Sequence, residues 1–311
     1  MTAKVPPTLM VEGLYDARLD RMIHWQREQL EPLLIYRSET HYFVPFFSSF
    51  ILKPLQTSSA HFLCGLQSAF KAGTKDDWLE WLKHLFGYGK WLDALSYVAA
   101  KYQRADIEVW IMLPYPYPHQ QPFGDIKGMS GHFRNENHRL RALKWWMEAF
   151  QEEWMQHACS ENIRLRGFVW GREGLPPFDR ELVKRWNHQV HEYHLESLWL
   201  PNYKAAFVEH WPDLGFDHVA LYPQYTGATE NDAEWLDNTT KFALVHQAGI
   251  QMICGQGWKY SEDHFRKYHR QKVFYRQLGG KGPFVYRFPN HSLYRVFIED
   301  RQRYDDVFFS L

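Results

Sequence analysis

Short apolar or aromatic runs alternate with longer segments of helical period from residue 41 to near the end of the chain. This alternation is typical of βα units, in which parallel strands form one sheet and helices cover it. The runs predict strands at Tyr42 to Phe50, Ile107 to Pro114, Ile163 to Trp170, Leu195 to Pro201, His218 to Pro223, Ile250 to Cys254 and Phe284 to Phe288. The segments between them predict helices at Lys75 to Phe86, Lys90 to Gln103, Asn137 to Ala158, Arg180 to Tyr193, Ala205 to Trp211, Asp232 to Ala248 and Asp263 to Leu278.

The pattern predicts an α/β fold, a (β/α)8 TIM-like barrel over residues 41–311 that follows a helical flank over residues 1–40. Seven clear strands are one fewer than a closed barrel needs, so the barrel is either distorted or completed by a hidden strand. That strand is expected before Tyr15 in the flank, which also holds an amphipathic segment from Ala17 to Leu34, or in the tail from Leu293 to Ile298. An open doubly wound sheet is the alternative, but the glycine-rich phosphate loop common in such sheets is missing.

The charge balance argues against nucleic-acid and membrane partners. Lys and Arg together number 36, as do Asp and Glu, so the formal net charge is zero and no strong field attracts an anionic polymer or surface. No apolar stretch approaches the roughly 18 residues that span a bilayer, and no run of signal-peptide length opens the chain. We expect a cytoplasmic protein, or a secreted one if a leader is removed. The sequence leaves the oligomeric state open.

The sequence indicates neither a metal nor a cofactor. Cys64, Cys159 and Cys254 are widely spaced and odd in number, which favours reduced, buried thiols over a disulfide framework. The histidines at positions 188, 191 and 194 could suggest a metal, but a spacing of three turns the third side chain well away from the first on a helix.

Aromatic residues make up 17% of the chain, with 14 Trp, 18 Tyr and 22 Phe. Large aromatic side chains fill cores, but in clefts they also stack on the apolar faces of sugar rings or on bases. Because the charge is balanced, a saccharide is the better candidate ligand. A place in the core is the alternative for any single aromatic residue.

The strand ends locate a candidate catalytic site. In a (β/α) barrel the residues that follow the strands face one mouth, where catalytic side chains lie. Glu173 follows the strand that ends at Trp170, in a loop flanked by Gly171 and Gly174, and it is the candidate catalytic acid. Alternatively, Glu173 caps the next helix or pairs with Arg172.

Other strand ends supply the candidate substrate-binding residues. These are expected to surround Glu173 in one cleft, although prolines beside several of them also end strands for structural reasons alone. The candidates are Tyr115, Trp170, Tyr203, Tyr222, Gln224, Tyr225, Trp258 and Arg287.

A series of short motifs follows one another along the chain: Leu113-Pro-Tyr-Pro, Lys144-Trp-Trp, Gly167-Phe-Val-Trp-Gly-Arg-Glu173, Leu200-Pro-Asn-Tyr203, Trp211-Pro-Asp-Leu-Gly-Phe-Asp217, Tyr222-Pro-Gln-Tyr225 and Tyr304-Asp-Asp306. Over roughly residues 41 to 310, this order resembles a bacterial family known as domain of unknown function 4855. The resemblance implies a barrel similar to those of glycoside hydrolases, often found beside carbohydrate-binding modules in extracellular proteins. It also matches Glu173 with the family's acidic residue after a Gly-Phe-Tyr-Trp-like strand.

One strand departs from the family pattern. The family carries acidic residues on the later strand near Ile250, whereas this chain reads Gly249-Ile-Gln-Met-Ile-Cys254. Glycoside hydrolysis usually requires two carboxyl groups, so the second one is expected from a loop, at Asp125, Glu230 or Asp232. The sequence therefore predicts a glycoside hydrolase with Glu173 as general acid. A non-catalytic carbohydrate-binding barrel that lacks the second carboxylate is the alternative.

Overall fold

The computed structural model describes residues 6–12, 14–16, 21–23, 25–38, 42–54, 56–59, 61–64, 71–120, 122–157, 161–225, 232–256 and 259–311. Within these ranges, eight parallel strands close into a barrel, so the predicted TIM-like fold is confirmed. The strands are β1 (Thr8–Glu12), β2 (Ser49–Lys53), β3 (Glu108–Met112), β4 (Arg164–Val169), β5 (Glu196–Trp199), β6 (His218–Leu221), β7 (Gly249–Ile253) and β8 (Phe284–Arg287).

Each barrel strand pairs with its neighbours in the chain, and β8 closes the barrel by pairing with β1. The closure places Leu9 opposite Tyr286 on one side and opposite Phe50 on the other. Consecutive parallel strands require crossover connections, which the helices supply. The helices of the described segments are α1 (Arg27–Leu34), α2 (Lys75–Phe86), α3 (Trp91–Lys101), α4 (Glu136–Gln156), α5 (Arg180–Glu192), α6 (Asp232–Val245), α7 (Glu262–Gln277), α8 (Ser292–Glu299) and α9 (Arg301–Ser310).

Helix α2 shows how the local sequence produces these elements. Thr74 caps it, because the Asp77 amide donates to Thr74 Oγ1 (3.4 Å) and the Thr74 amide donates to Asp77 Oδ2 (2.7 Å). Trp78, Trp81 and Leu85 recur at helical spacing and are fully buried against the barrel. The strong helix start and the apolar face explain why the predicted and observed boundaries of this helix agree.

Several short hairpins and 3₁₀ segments lie outside the barrel sheet. The hairpins pair Leu14–Asp16 with Arg21–Ile23, Ile35–Arg37 with Phe43–Pro45, Asp125–Ile126 with Met129–Ser130, and Gly255–Gln256 with Lys259–Tyr260. Short 3₁₀ segments occur at Pro177–Asp179, Val208–Leu214 and Pro289–His291.

The missing strand lies in the predicted flank, where β1 precedes Tyr15. The barrel therefore begins before residue 41. The tail considered as the other location is instead helix α8, and the predicted strand from Tyr42 to Phe50 divides into an outer hairpin strand and the start of β2. Among the described residues of the predicted amphipathic segment, Arg21–Ile23 is a hairpin strand and Arg27–Leu34 is a helix. The segment predicted as a helix from residue 205 is 3₁₀ from Val208. A buried apolar run as short as that of β1 has no periodicity that distinguishes a strand from other structure.

Ion pairs fill the amino-terminal end of the barrel interior. Arg166 contacts Glu108 (Nη1 to Oε2, 2.7 Å) and Glu196 (Nε to Oε2, 3.1 Å), and His218 Nε2 lies 2.6 Å from the same Glu196 oxygen. These side chains come from the first halves of β3 to β6. They fill the amino-terminal end of the barrel interior, so a pocket inside the barrel can form only near the carboxyl ends of the strands.

In the described part of the chain, no helix has both the length and the apolarity to cross a membrane. Cys64 and Cys254 are buried free thiols, as predicted. Burial raises the pKa of Cys64 to about 12, which makes this thiol unreactive near neutral pH. Cys159 lies outside the described residues.

Candidate active site at the barrel mouth

A narrow pocket opens at the carboxyl ends of the strands, where a TIM barrel holds its catalytic groups. Its cavity volume is about 20 Å³, which is room for about one water molecule. All eight strands or the residues that follow them contribute to its lining, which includes Met10, Lys53, Cys64, Met112, Trp170, Gly171, Arg172, Glu173, Leu200, Tyr222, Gln251, Ile253 and Arg287.

Glu173 enters this pocket from the loop after β4. Close backbone packing starts the loop, because a Cβ on Gly171 would meet the Leu113 carbonyl oxygen at 2.2 Å. Two hydrogen bonds hold the backbone beyond it: the Asn202 amide donates to the Glu173 carbonyl (3.3 Å), and Trp199 Nε1 donates to the Arg172 carbonyl (3.0 Å). The half-buried Glu173 carboxyl has neither a hydrogen bond nor an ion pair with any described residue.

A second carboxylate lies at the same mouth, at the end of β1. Glu12 forms ion pairs with Lys53 (Oε1 to Nζ, 3.1 Å) and Arg287 (Oε2 to Nε, 2.8 Å), whose side chains line the pocket. Burial acts to raise the pKa of Glu12, but the two cations outweigh it and lower that pKa to about 2. Glu12 is therefore ionised throughout the physiological pH range.

Arg287 links the two carboxylates electrostatically. Burial acts to lower the pKa of Arg287, whereas the charges of Glu12 and Glu173 raise it, and the net direction is upward. One guanidinium at the end of β8 thus interacts with carboxylates from β1 and from the loop after β4.

A buried polar chain supports Arg172 beside Glu173. Arg172 Nη1 donates to the Tyr115 hydroxyl (2.7 Å), which itself donates to Asp179 Oδ2 (2.5 Å). Asp179 is fully buried and also pairs with Arg139. Burial, followed by the Asp179 charge, raises the pKa of Tyr115 well above its usual range, so its hydroxyl stays a donor.

The predicted substrate-binding residues divide between the pocket and the packing around it. Tyr222 and Arg287 line the pocket, and Trp170 lines its wall but is only 1% exposed. Tyr203 packs on Trp235 and Phe242 of α6, away from the pocket lining.

Two further candidates at the end of β6 do not line the pocket. Tyr225 is buried against His264 and Tyr268 of α7, and its hydroxyl accepts a hydrogen bond from Lys267. Gln224 is exposed, and Trp258 lies outside the described residues. The single aromatic cleft predicted from the strand ends therefore does not form from the described members, because most of their rings pack into the shell between barrel and helices.

The loop acids do not supply a described partner for Glu173. Asp125 sits in its own hairpin turn, where its Oδ1 accepts the Gly128 amide (2.9 Å), and it does not line the pocket. Glu230 lies outside the described residues. Asp232 begins α6, and its side chain is not described.

Three residues at this mouth were not among the candidates predicted from the sequence: Glu12, Lys53 and Gln251. A signal for the first two was present, because each charged residue directly follows a three-residue apolar run, Leu9 to Val11 and Phe50 to Leu52. A charged residue after such a run is the same pattern that singled out Glu173. No comparable local signal marks Gln251, which lies within β7 and donates from Nε2 to the Ala220 carbonyl (2.8 Å).

The family described as domain of unknown function (DUF4855) has a sequence model that matches residues 12–301. The chain belongs to this family. Among curated proteins, none matches it. Similar solved structures include three mutant forms of the tryptophan synthase alpha-subunit from the hyperthermophile Pyrococcus furiosus, at 11%, 11% and 12% identity, with TM-scores of 0.41, 0.42 and 0.43. Each alignment covers 100% of this chain and 97% of the other. The barrel assignment rests on the strand pairing and not on this likeness.

The described side chains at the mouth of this DUF4855 chain are carboxylates, cations and neutral polar groups. Within the described segments, no group of three or more His, Cys, Asp or Glu side chains could hold a metal ion. The pocket lining includes the half-buried Glu173 carboxyl, three cationic side chains (Lys53, Arg172 and Arg287) and the polar side chains of Tyr222 and Gln251. The ionised Glu12 pairs with two of these cations, Lys53 and Arg287.

Proposed function

We propose that the barrel mouth binds a saccharide and hydrolyses a glycosidic bond, with Glu173 as general acid and Glu12 as the second carboxylate. One observation carries the proposal: Glu173 and Arg287 line the same pocket, and Arg287 forms an ion pair with Glu12 at the end of β1. Two carboxyl groups at one mouth are what most glycoside hydrolases use. Glu12 replaces the loop acids in this role because its ionic partners line the pocket.

The two environments suit different roles. The base or nucleophile must be ionised at the working pH. Lys53 and Arg287 keep the Glu12 carboxylate ionised, because they lower its pKa to about 2. Glu173 is half-buried and has no donor bound to it among the described residues, so its carboxyl is available to a leaving group.

In the reaction, Glu173 gives its proton to the glycosidic oxygen as the bond from that oxygen to the anomeric carbon breaks. Glu12 either takes a proton from the attacking water or itself bonds to the anomeric carbon, and the separation of the two carboxyl groups in the substrate complex decides between these routes. Tyr222 and Gln251 supply the neutral polar groups suited to sugar hydroxyls.

The second candidate function is saccharide binding without hydrolysis. It is favoured by Gln251 and Ile253 on β7, the strand where acids are expected in the family, and by the engagement of both Glu12 oxygens with cations. In this case the protein binds a glycan and releases no product.

A substrate screen with matched variants tests the proposal. We expect wild-type protein to release product from at least one glycan in a broad panel, and Glu173→Gln to reduce turnover by about 10²–10⁴-fold. An aryl glycoside whose leaving group needs no protonation should restore much of the activity of that variant. Glu12→Gln should abolish turnover on both substrates, while Glu181→Gln, at an exposed pair with Lys184, should leave it unchanged.

Thermal unfolding of every variant separates lost catalysis from lost folding. Full turnover by a folded Glu173→Gln protein would exclude Glu173 as the acid. Glycan binding by wild type without product across the panel would establish the second candidate instead.

A further inference from the structure

A larger groove lies at the opposite end of the barrel, away from the mouth. Its cavity volume is about 820 Å³. It is bounded by the residues that precede β6 and β8 and by the carboxyl-terminal ends of α6 and α7, and its lining comprises Trp211, Asp217, His218, Val219, Leu244, Gln247, Arg276, Leu278, Gly279, Gly280, Lys281, Gly282 and Pro283. A volume of this size is typical of a small-molecule site.

Arg276 is the distinctive charge of this groove. Its guanidinium is held in place, because Nη1 donates to the Gly280 carbonyl (2.7 Å) and the planar group lies 4.6 Å from the centre of the Phe284 ring. It has no carboxylate partner among the described residues. Burial lowers the pKa of Arg276, because it disfavours the charged guanidinium. The edge formed by Nε and Nη2 carries no hydrogen bond within the same residues.

Arg276 and Lys281 outnumber Asp217, the one carboxylate among the described residues that line the groove. Lys281 is exposed and has no ion pair within the described ranges. Asp217 is already engaged, since its Oδ2 accepts the Ser197 amide (2.8 Å) and lies 2.8 Å from His191 Nε2. His218 is held by Glu196 (2.6 Å).

The glycine-rich turn beside Lys281 provides few free backbone donors. The amides of Gly279 and Gly280 donate to the carbonyls of Arg276 and Tyr275, and the Gly282 amide donates to the Tyr275 hydroxyl. Phosphate sites use several convergent backbone amides, and here they are occupied. The free edge of one guanidinium matches a planar carboxylate instead.

An apolar wall faces these cations. Trp211 is oriented by its own hydrogen bond to the His246 carbonyl (2.9 Å), and Leu244, Val219 and Pro283 continue the surface. A ligand that fills the groove therefore needs an apolar body next to its anionic group.

We propose that this groove is a binding site for a small organic carboxylate, with Arg276 as the bidentate partner, Lys281 as the second cation and Trp211 against the apolar body. The site is independent of the hydrolase proposed at the mouth. A ligand in this groove lies at the amino-terminal face of the barrel and does not contact Glu173.

Calorimetric titration with three matched probes tests this site: 3-phenylpropionate, its neutral amide and phenyl phosphate. We expect the carboxylate to bind, and the amide to bind at least tenfold more weakly because it lacks the charge. Arg276→Gln should weaken carboxylate binding about tenfold or more, and Arg276→Lys should restore only part of it because lysine has no bidentate edge. Lys281→Gln should cause a smaller loss.

Arg270→Gln is the control, since Arg270 is exposed on the same helix and lines a different surface. It should bind the carboxylate as wild type does. Equal binding of acid and amide, unchanged binding by a folded Arg276→Gln protein, or no binding of any probe at millimolar concentration would each overturn the proposal. Preferential binding of phenyl phosphate would replace the carboxylate with a phosphate ligand.

Discussion

Replacing Glu12 with Gln should destabilise the barrel at neutral pH. The substitution keeps the shape of the side chain but removes the charge that compensates Lys53 and Arg287 in a buried setting. The pKa of Glu12 falls from 4.5 to about 2 on folding, and at about 1.4 kcal/mol per pKa unit this corresponds to roughly 3 kcal/mol of stability. Breaking a buried ion pair from one side costs a similar amount, about 3–5 kcal/mol.

The direction of the pKa shift determines how the contribution of Glu12 to stability changes with pH. The pKa of Glu12 is lower in the folded state, so its contribution is complete above pH 4.5 and is lost as the pH falls towards 2. The difference in unfolding free energy between wild type and Glu12→Gln should therefore be greatest near pH 7. It should shrink to about half near pH 3.

Urea unfolding followed by tryptophan fluorescence at several pH values between 7 and 3 measures this difference. Glu181→Gln removes an exposed partner of Lys184 and should change stability by less than about 1 kcal/mol at every pH. A Glu12→Gln effect at pH 7 as small as that of the control would show that the Glu12 charge does not stabilise the fold. A large effect that does not diminish on acidification would show that the loss does not come from that charge.

Three further substitutions test the packing around the site by the same unfolding assay. Gly167→Ala places a Cβ 1.8 Å from a β5 carbonyl oxygen and should lower the free energy of unfolding by about 3 kcal/mol or more. Gly174→Ala has open space around it and should leave the free energy of unfolding almost unchanged. Equal effects of the two substitutions would contradict the close approach at Gly167. Tyr115→Phe leaves Asp179 without one donor and should cost about 1–3 kcal/mol, and a neutral result would disprove the polar chain. Trp170→Ala should cost about 3–5 kcal/mol as a core truncation, and weaker ligand binding at unchanged stability would instead place this ring in a subsite.

Much of the fold was predictable because its cause is local. Helical periodicity and capping set α2, and apolar runs bounded by polar residues set strands such as β4 and β6 within a few residues. Strand β1 was harder to predict from the sequence, because five residues are too few to show a periodic pattern. The aromatic residues were the least predictable part, because Tyr203 and Tyr225 lie at strand ends but their rings pack on helices.

Local patterns in the sequence are enough to order most of the strands and helices, and hence to place Glu173 at the barrel mouth. The charges near Glu173 depend on how the barrel closes. Glu12 and Arg287 are 275 positions apart, and they meet because β8 closes the barrel against β1. Periodicity depends on residues a few positions apart, whereas an ion pair depends on distance in space. The acid at the end of β4 could therefore be identified from the sequence, whereas the ion pairs of Glu12 with Lys53 and Arg287 could not.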